Sequence, residues 1–316
     1  MPGLRHRLLS LMTAAALLGS LMTGDAYAQS PIPPLDPNWV RGGAGTAQTS
    51  VTLTAAIGNS TTPIGSGLRW RIYRERADDD GKHKLVAETT TAAPVMSLPE
   101  GSYVVHVGYG LASAMKRISV GSQSSNERVQ INAGVLRVTS VLGDTSLAPA
   151  RVSLAVYVPE RSGADARLIV SNARPGDLLR LPEGNYRVVS TYLDKESTGS
   201  MPAPGAPANA TNSIVSAELR VQTGRLTEAT LRHNAATLTL KLVNSPGGEA
   251  LANTSFSVLT PGGDVIREMI GAFPSLILAD GEYVVIARRD GKTYQKTFIV
   301  QSTIDRDEEI LATTPN

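Results

Sequence analysis

Apolar and polar residues alternate over short stretches, and this period of two recurs along most of the chain. Leu68, Trp70 and Ile72 are separated by Arg69 and Arg71, Val152, Leu154 and Val156 by Ser153 and Ala155, and Phe256 and Val258 by Ser257. Successive side chains of an extended backbone point to opposite faces, so the pattern predicts strands with one face in a core and the other toward water. Gly, Pro and Asn punctuate these runs, and no stretch carries a convincing amphipathic helix. At Asp290-Gly291 the punctuation suits a two-residue hairpin turn with positive φ. The fold class expected from these signals is all-β, built from sandwiches.

A second pattern lies above the strands. Leu98-Pro-Glu-Gly-Ser-Tyr103, Leu181-Pro-Glu-Gly-Asn-Tyr186 and Leu278-Ala-Asp-Gly-Glu-Tyr283 are copies of one motif, each followed by a β-rich run. The tyrosines stand 83 and 97 residues apart (186 − 103 and 283 − 186), a domain-sized interval. The difference of 14 residues is absorbed by a low-complexity stretch, 194–213, rich in Pro, Ala, Ser, Thr and Gly. Similar opening strands begin at Val51, Leu136 and Leu238. The predicted organisation is three tandem β-sandwiches at 49–132, 133–234 (with the inserted loop 194–213) and 235–316. In each, Gly101, Gly184 or Gly281 belongs to the turn, and Tyr103, Tyr186 or Tyr283 stacks on the core and returns its hydroxyl to a nearby backbone carbonyl.

That motif looks like the tyrosine corner of Greek-key sandwiches, with Val105, Val188 and Val285 where an immunoglobulin domain carries its second cysteine. The wider pattern, apolar-x-acid-Gly-x-Tyr-x-Val followed by a hairpin, resembles the carboxypeptidase-regulatory, Cna-B and PEGA modules of Ig-like or prealbumin-like topology. The resemblance covers nearly all of residues 49–316 and implies a non-catalytic role as spacer, stalk or binding module. Cna-B modules can hold an internal Lys–Asn isopeptide bond. Lys241 stands on a suitable first strand in the third copy, but the other copies lack a lysine there and no matching asparagine closes the third, so no cross-link is expected.

The amino terminus reads differently. Arg5, His6 and Arg7 precede an uncharged apolar run from Leu8 to Met22, and Ala26-Tyr27-Ala28 offers the small-x-small pattern of signal-peptidase cleavage, so residues 1–28 read as a signal peptide. Roughly 15 apolar residues fall short of the ~20 a spanning helix needs, and no second such stretch follows. Residues 29–48, with four prolines and three glycines, read as a Pro/Gly-rich linker. Trp39 within it either packs on the first sandwich or docks as an extended peptide on a partner.

Composition narrows the chemistry. The chain of 316 residues contains no cysteine, which removes disulfides, thiolate metal sites and a cysteine nucleophile, and suits an exported bacterial protein. A net charge of +2 and an aromatic content of 4% leave neither a basic face nor a stacking platform for nucleic acid. His83, His106 and His233 stand far apart without metal-ligand spacing, no G-x-S-x-G elbow occurs, and the glycine-rich stretches lack a phosphate-cradling context. Asp78-Asp79-Asp80 is read as a hairpin tip rather than a calcium loop. No catalytic residue, cofactor or metal is expected. Basic residues crowd the hairpin around Arg69–Lys84, and Asp305, Asp307, Glu308 and Glu309 make the last strand acidic; these charges either order copies head to tail or protect sheet edges.

The sequence therefore points to a non-enzymatic exported envelope protein, periplasmic or secreted, that contacts envelope proteins it does not identify. The alternative is a periplasmic binding protein for a glycan or small ligand. The oligomeric state is not legible, and 194–213 reads either as a partner-binding loop or as a tolerated insertion.

Overall fold

The computed structural model describes residues 47–159, 166–195 and 209–313, so the expected signal peptide at 1–28, nearly all of the expected linker and Trp39 lie outside the described residues. Those residues are strands, turns and a single 3-10 turn at Pro149–Arg151. The first group of strands is β1 (Gln48–Ile57), β2 (Leu68–Ala77), β3 (His83–Thr89), β4 (Val95–Pro99), β5 (Gly101–Tyr109), β6 (Ala112–Val120) and β7 (Ser125–Ile131). They form two sheets, of order β4-β1-β7 and β3-β2-β5-β6. The first strand pairs antiparallel with β4 and parallel with the last strand, β7.

The same arrangement occurs twice more. The second group is β8 (Ala133–Leu142), the two-residue β9 (Thr145–Ser146), β10 (Val152–Val158), β11 (Arg167–Ala173), β12 (Leu179–Pro182), β13 (Gly184–Leu193), β14 (Ala210–Val221) and β15 (Leu226–His233). Its sheets run β12-β8-β15 and β11-β10-β13-β14. The third group is β16 (Ala235–Val243), β17 (Thr254–Leu259), β18 (Val265–Gly271), β19 (Ser275–Ala279), β20 (Gly281–Arg289), β21 (Lys292–Val300) and β22 (Arg306–Leu311), in sheets β19-β16-β22 and β18-β17-β20-β21. The fold class is all-β, as the alternation predicts. One residue, Asn132, separates the first group from the second, and one, Asn234, the second from the third.

Each pair of sheets closes on its own core. Val51 and Leu53 of β1 meet Trp70 and Ile72 of β2 and Tyr103, Val105 and Val107 of β5, all without measurable exposure. Trp70 directs its indole N–H to Thr91 O at 3.1 Å, so the burial of this ring leaves no polar atom stranded. Leu136, Leu154, Val188 and Val221 fill the second core, and Leu238, Leu240, Phe256 and Val285 the third.

One sequence expectation meets a different structure. Of the stretch expected to be a loop, residues 210–213 are the first four of β14, and Thr211 and Ser213 are buried there. The strand was hidden because the side chains it buries are hydroxyls, which leave no apolar alternation to read. The acidic residues near the last strand make contacts within their own module: Asp305 accepts from Thr237 N–H, Asp307 pairs with Lys241, Glu308 pairs with Lys296 and Arg306, and Glu309 accepts from Gly247 N–H.

The three motif tyrosines are equivalent in geometry. Tyr103 donates to Pro99 O at 2.8 Å, Tyr186 to Pro182 O at 2.8 Å and Tyr283 to Ala279 O at 2.9 Å, each four residues upstream. Replacing Tyr186 by Ala removes ring packing and should cost roughly 3–5 kcal/mol. Tyr186→Phe keeps the ring and loses one hydrogen bond, for about 0.5–1.5 kcal/mol. Denaturant unfolding checks this, and equal losses for the two variants would show that the hydroxyl, not the ring, anchors the turn.

Candidate functional site: the joints between sandwiches

A one-residue linker leaves no slack, so the end of one sandwich must touch the start of the next. At the first joint Leu111 N–H donates to Arg180 O at 3.0 Å, and the Arg180 guanidinium lies over the Tyr109 ring, 4.8 Å from its centroid. The linker carbonyls are held alike at both joints. Asn132 O accepts from Glu183 N–H and Asn234 O from Asp280 N–H, both at 3.1 Å.

Close approaches across the joints fall on glycines: a Cβ on Gly110 would lie 2.7 Å from Arg180 Cβ, and the glycines that follow the opening strands of the first two sandwiches repeat the device. Gly58 follows β1 with φ 51°, and a Cβ there would lie 2.8 Å from Thr223 Cγ2. Gly143 follows β8 with φ 58°, and a Cβ there would lie 2.9 Å from Thr303 Cγ2. Both features demand glycine: a left-handed backbone, and space that the next sandwich already fills. The matching position of the third sandwich is found from three equivalent hydrogen bonds, Ile64 N–H to Ala55 O, Leu147 N–H to Ser140 O and Leu251 N–H to Leu242 O. Gly58, Gly143 and Ser245 each stand three residues beyond those carbonyls (58 − 55, 143 − 140, 245 − 242). The glycine stands at both described joints, and the third sandwich has serine at the matching position.

The second joint carries more. Asn212 on β14 reaches across to the third sandwich's motif: its Nδ2 donates to Tyr283 Oη at 2.9 Å, and its Oδ1 accepts from Ala279 N–H at 2.9 Å. Arg267 on β18, its side chain 6% exposed, approaches Asp194 at 3.4 Å and donates to Ala210 O at 3.2 Å. Asp194 and Asn209 close the neck of the segment 194–209 with two hydrogen bonds of 2.8 Å, Asp194 N–H to Asn209 O and Asn209 Nδ2 to Asp194 O. That neck is therefore fastened to the third sandwich. Tyr192, Ala235 and Ile277 form a small apolar cluster beside it, backed by Leu142 and Leu147.

Behind the cluster sits a fully buried polar group. His233 Nε2 contacts Ser190 Oγ at 2.8 Å, its Nδ1 contacts Ser213 Oγ at 2.9 Å, and Ser140 Oγ extends the chain to Ser190 at 3.0 Å. Serine beside histidine suggests nucleophilic chemistry, but His233 and Ser190 have no exposed surface to offer a substrate, and a second serine stands where a carboxylate would orient the ring. The cluster is a buttress. Burial lowers the His233 pKa below 6.5, partly offset by its hydrogen bond with Ser213; His106 is lowered too, by burial and then by Arg71.

Of the sequence-derived residues, Gly101 with Tyr103, Gly184 with Tyr186 and Gly281 with Tyr283 lie in separate sandwiches, and the structure brings no two of these pairs together. Among the described residues only Tyr283 of the three tyrosines takes on a second hydrogen-bond partner, Asn212. The joint residues Gly58, Gly143, Asn212, Asp194 and Arg267 were missed. Aligning the repeats beyond their strands would have exposed the glycine pair; a lone asparagine and a distant ion pair leave no local signal.

With this geometry in view, comparisons can be stated. Residues 237–312 match the model of the Rhizobiales growth-associated tandem repeat domain. No curated protein matches the chain. Among solved structures it is similar to the Bacillus anthracis TIE protein (13% identity, 84% of this chain and 50% of that one, TM-score 0.24) and spans about half of that protein's length. It is also similar to BcpA, the major pilin subunit of Bacillus cereus (10% identity, 84% and 100%, TM-score 0.22), and to GBS52, the minor pilin of Streptococcus agalactiae (13% identity, 58% and 95%, TM-score 0.25). Among the described residues no helix is long and apolar enough to cross a membrane.

Two outcomes follow from the joint. Gly143→Ala should destabilise the chain by roughly 1–3 kcal/mol through backbone strain and the clash with Thr303. Adding Thr303→Gly should recover part of it, while Ser245→Gly stays within about 0.5 kcal/mol of the parent. Urea unfolding checks this; additive losses in the double variant would remove the contact from the account. Because the folded state holds His233 neutral, the unfolded chain takes up the proton first as pH falls. Stability is then full above about 6.5 and declines as pH drops through that value toward the lowered folded pKa. Melting temperature should be lower at pH 5.5 than at pH 7.5, and less so in His233→Gln; an unchanged pH response in that variant would contradict the assignment.

Proposed function

We propose that this chain is a non-enzymatic, exported structural protein of the cell envelope, whose three sandwiches are coupled in series to hold contact surfaces at fixed separations. The observation that carries this reading is the joint. Both linkers are one residue long, both use a glycine where the next sandwich presses in, and the second adds Asn212 and the Arg267–Asp194 pair. Such contacts serve no purpose in independent beads on a string. Interfaces between covalently linked domains otherwise permit relative motion unless they are extensive and well packed.

The matched repeat domain supports the same reading. The amino-terminal pattern at 1–28 supports export, with a mature chain starting at Gln29 and a periplasmic or extracellular destination. Its partners on this reading are envelope proteins. Cell fractionation with amino-terminal sequencing and in-cell cross-linking tests it: the expected result is a chain beginning at Gln29, outside the cytoplasm, cross-linked to other envelope proteins. An unprocessed chain retained in the cytoplasm would overturn it.

A further inference from the structure

The outer face of the four-stranded sheet in the first sandwich is concave, a trough of about 790 Å³ lined by Arg71, Tyr73, Glu75, Val104, His106 and Met115 among others. Cross-strand register sets these side chains in rows. Arg71, His106 and Met115 form one row across β2, β5 and β6, and Tyr73, Val104 and Arg117 the next. Met115 is 73% exposed, an apolar side chain standing in solvent.

The repeat provides an internal control. The row equivalent to Arg71-His106-Met115 is Ala155-Val189-Ser216 in the second sandwich and Ser257-Ile286-Gln295 in the third. The scaffold accepts small and uncharged residues there, so the basic and thioether side chains of the first sandwich answer to something other than folding. Charge on the face is unbalanced. Arg69 and Arg71 share one carboxylate among the described residues, Glu88, at 3.9 and 3.2 Å. His106 Nδ1 is buried with no hydrogen-bond partner among the described residues.

We propose that this trough docks an extended peptide segment of a partner protein in which the side chains at every second position, those facing the sheet, are in turn acidic and apolar. The proposal rests on the protein-interaction reading above and names the partner's chemistry. Like-facing side chains of an extended peptide repeat about every 6.6–6.8 Å, the spacing of successive rows on the sheet beneath it. A carboxylate set over Arg71 takes up the guanidinium positions that Glu88 leaves open, and the apolar side chain two positions along, on the same face, covers Val104 and Met115. A polyuronate shares the carboxylates, but it would want a stacking platform, and Tyr73 is the one phenol or indole ring lining the face.

The test uses the mature full-length chain and a fluorescently labelled peptide of repeating Glu-Ser-Val-Ser, which sets Glu and Val in turn on one face, followed by fluorescence anisotropy at low and moderate salt. Three probes are compared: this peptide, the same peptide with Gln for Glu, and an oligogalacturonate of equal charge. Binding of the Glu peptide alone, weakened tenfold or more by the combined changes Arg71→Ala, His106→Val and Met115→Ser, supports the proposal. Those changes place the second sandwich's own residues in the row, so unfolding midpoints should hold; the single variant Arg71→Gln serves if they do not. Arg288→Gln on the third sandwich should leave binding unchanged. Equal binding of the Gln peptide, binding indifferent to the row substitutions, preference for the oligogalacturonate, or no binding of any probe would each overturn it. None of these results alters processing at Gln29 or the joints, so failure here is distinct from failure of the envelope reading.

Discussion

Close approach of backbone to side chain at a linker of one residue is the constraint from which the rest of this molecule follows. When β7 ends at Ile131 and β8 begins at Ala133, the two sandwiches cannot part, and their facing loops must interlock or clash. The chain resolves this by removing a side chain at Gly58 and Gly143 and letting a threonine methyl occupy the space. Thr303 itself sits at φ 64°, an unfavourable place for a β-branched residue, whereas the corresponding loop of the second sandwich has Gly224 at φ 73°. Strain is thus accepted at the second joint, where it is over-determined by Asn212, by Arg267 and by the apolar cluster around Tyr192.

A buried ion pair is weak evidence for stability, since its desolvation opposes its attraction. Its value here is geometric. Arg267 reaches both Asp194 and the Ala210 carbonyl, which flank the neck of the long segment in the second sandwich. The segment that reads either as a partner-binding loop or as a tolerated insertion is anchored at its base to the next sandwich. Where the three repeats are alike, in the tyrosine turn and the sheet order, they build the fold. Where they differ, at the joints and on the outer face bearing Arg71, they carry what is particular to this chain.

Much of the architecture could be read before any coordinates. Period-two alternation marked Trp70, Leu154 and Phe256 as inward residues, because strands buried on one face have no other way to sort side chains. The Tyr103, Tyr186 and Tyr283 motifs set the repeat, because the same short turn recurs at the same point in each sheet. The joints stayed invisible for a physical reason. They are built by single residues from distant segments, such as Asn212 meeting Ala279 and Asp194 meeting Arg267, and no local pattern encodes a contact of that kind. The start of β14 was lost because Thr211 and Ser213 bury hydroxyls against Tyr192 O and His233, which reads as low complexity in a hydropathy pattern.

The central claim is that the second and third sandwiches hold one mutual arrangement. The chain has no cysteine, so two spin labels can be placed without background, one on an exposed strand position of each sandwich. Double electron–electron resonance between them should give a single narrow distance distribution in the parent chain. That distribution should broaden when Asn212→Ala and Asp194→Ala are combined. A broad or multimodal distribution in the parent would contradict the account, because the joint would then be a hinge and the sandwiches would not keep a fixed separation.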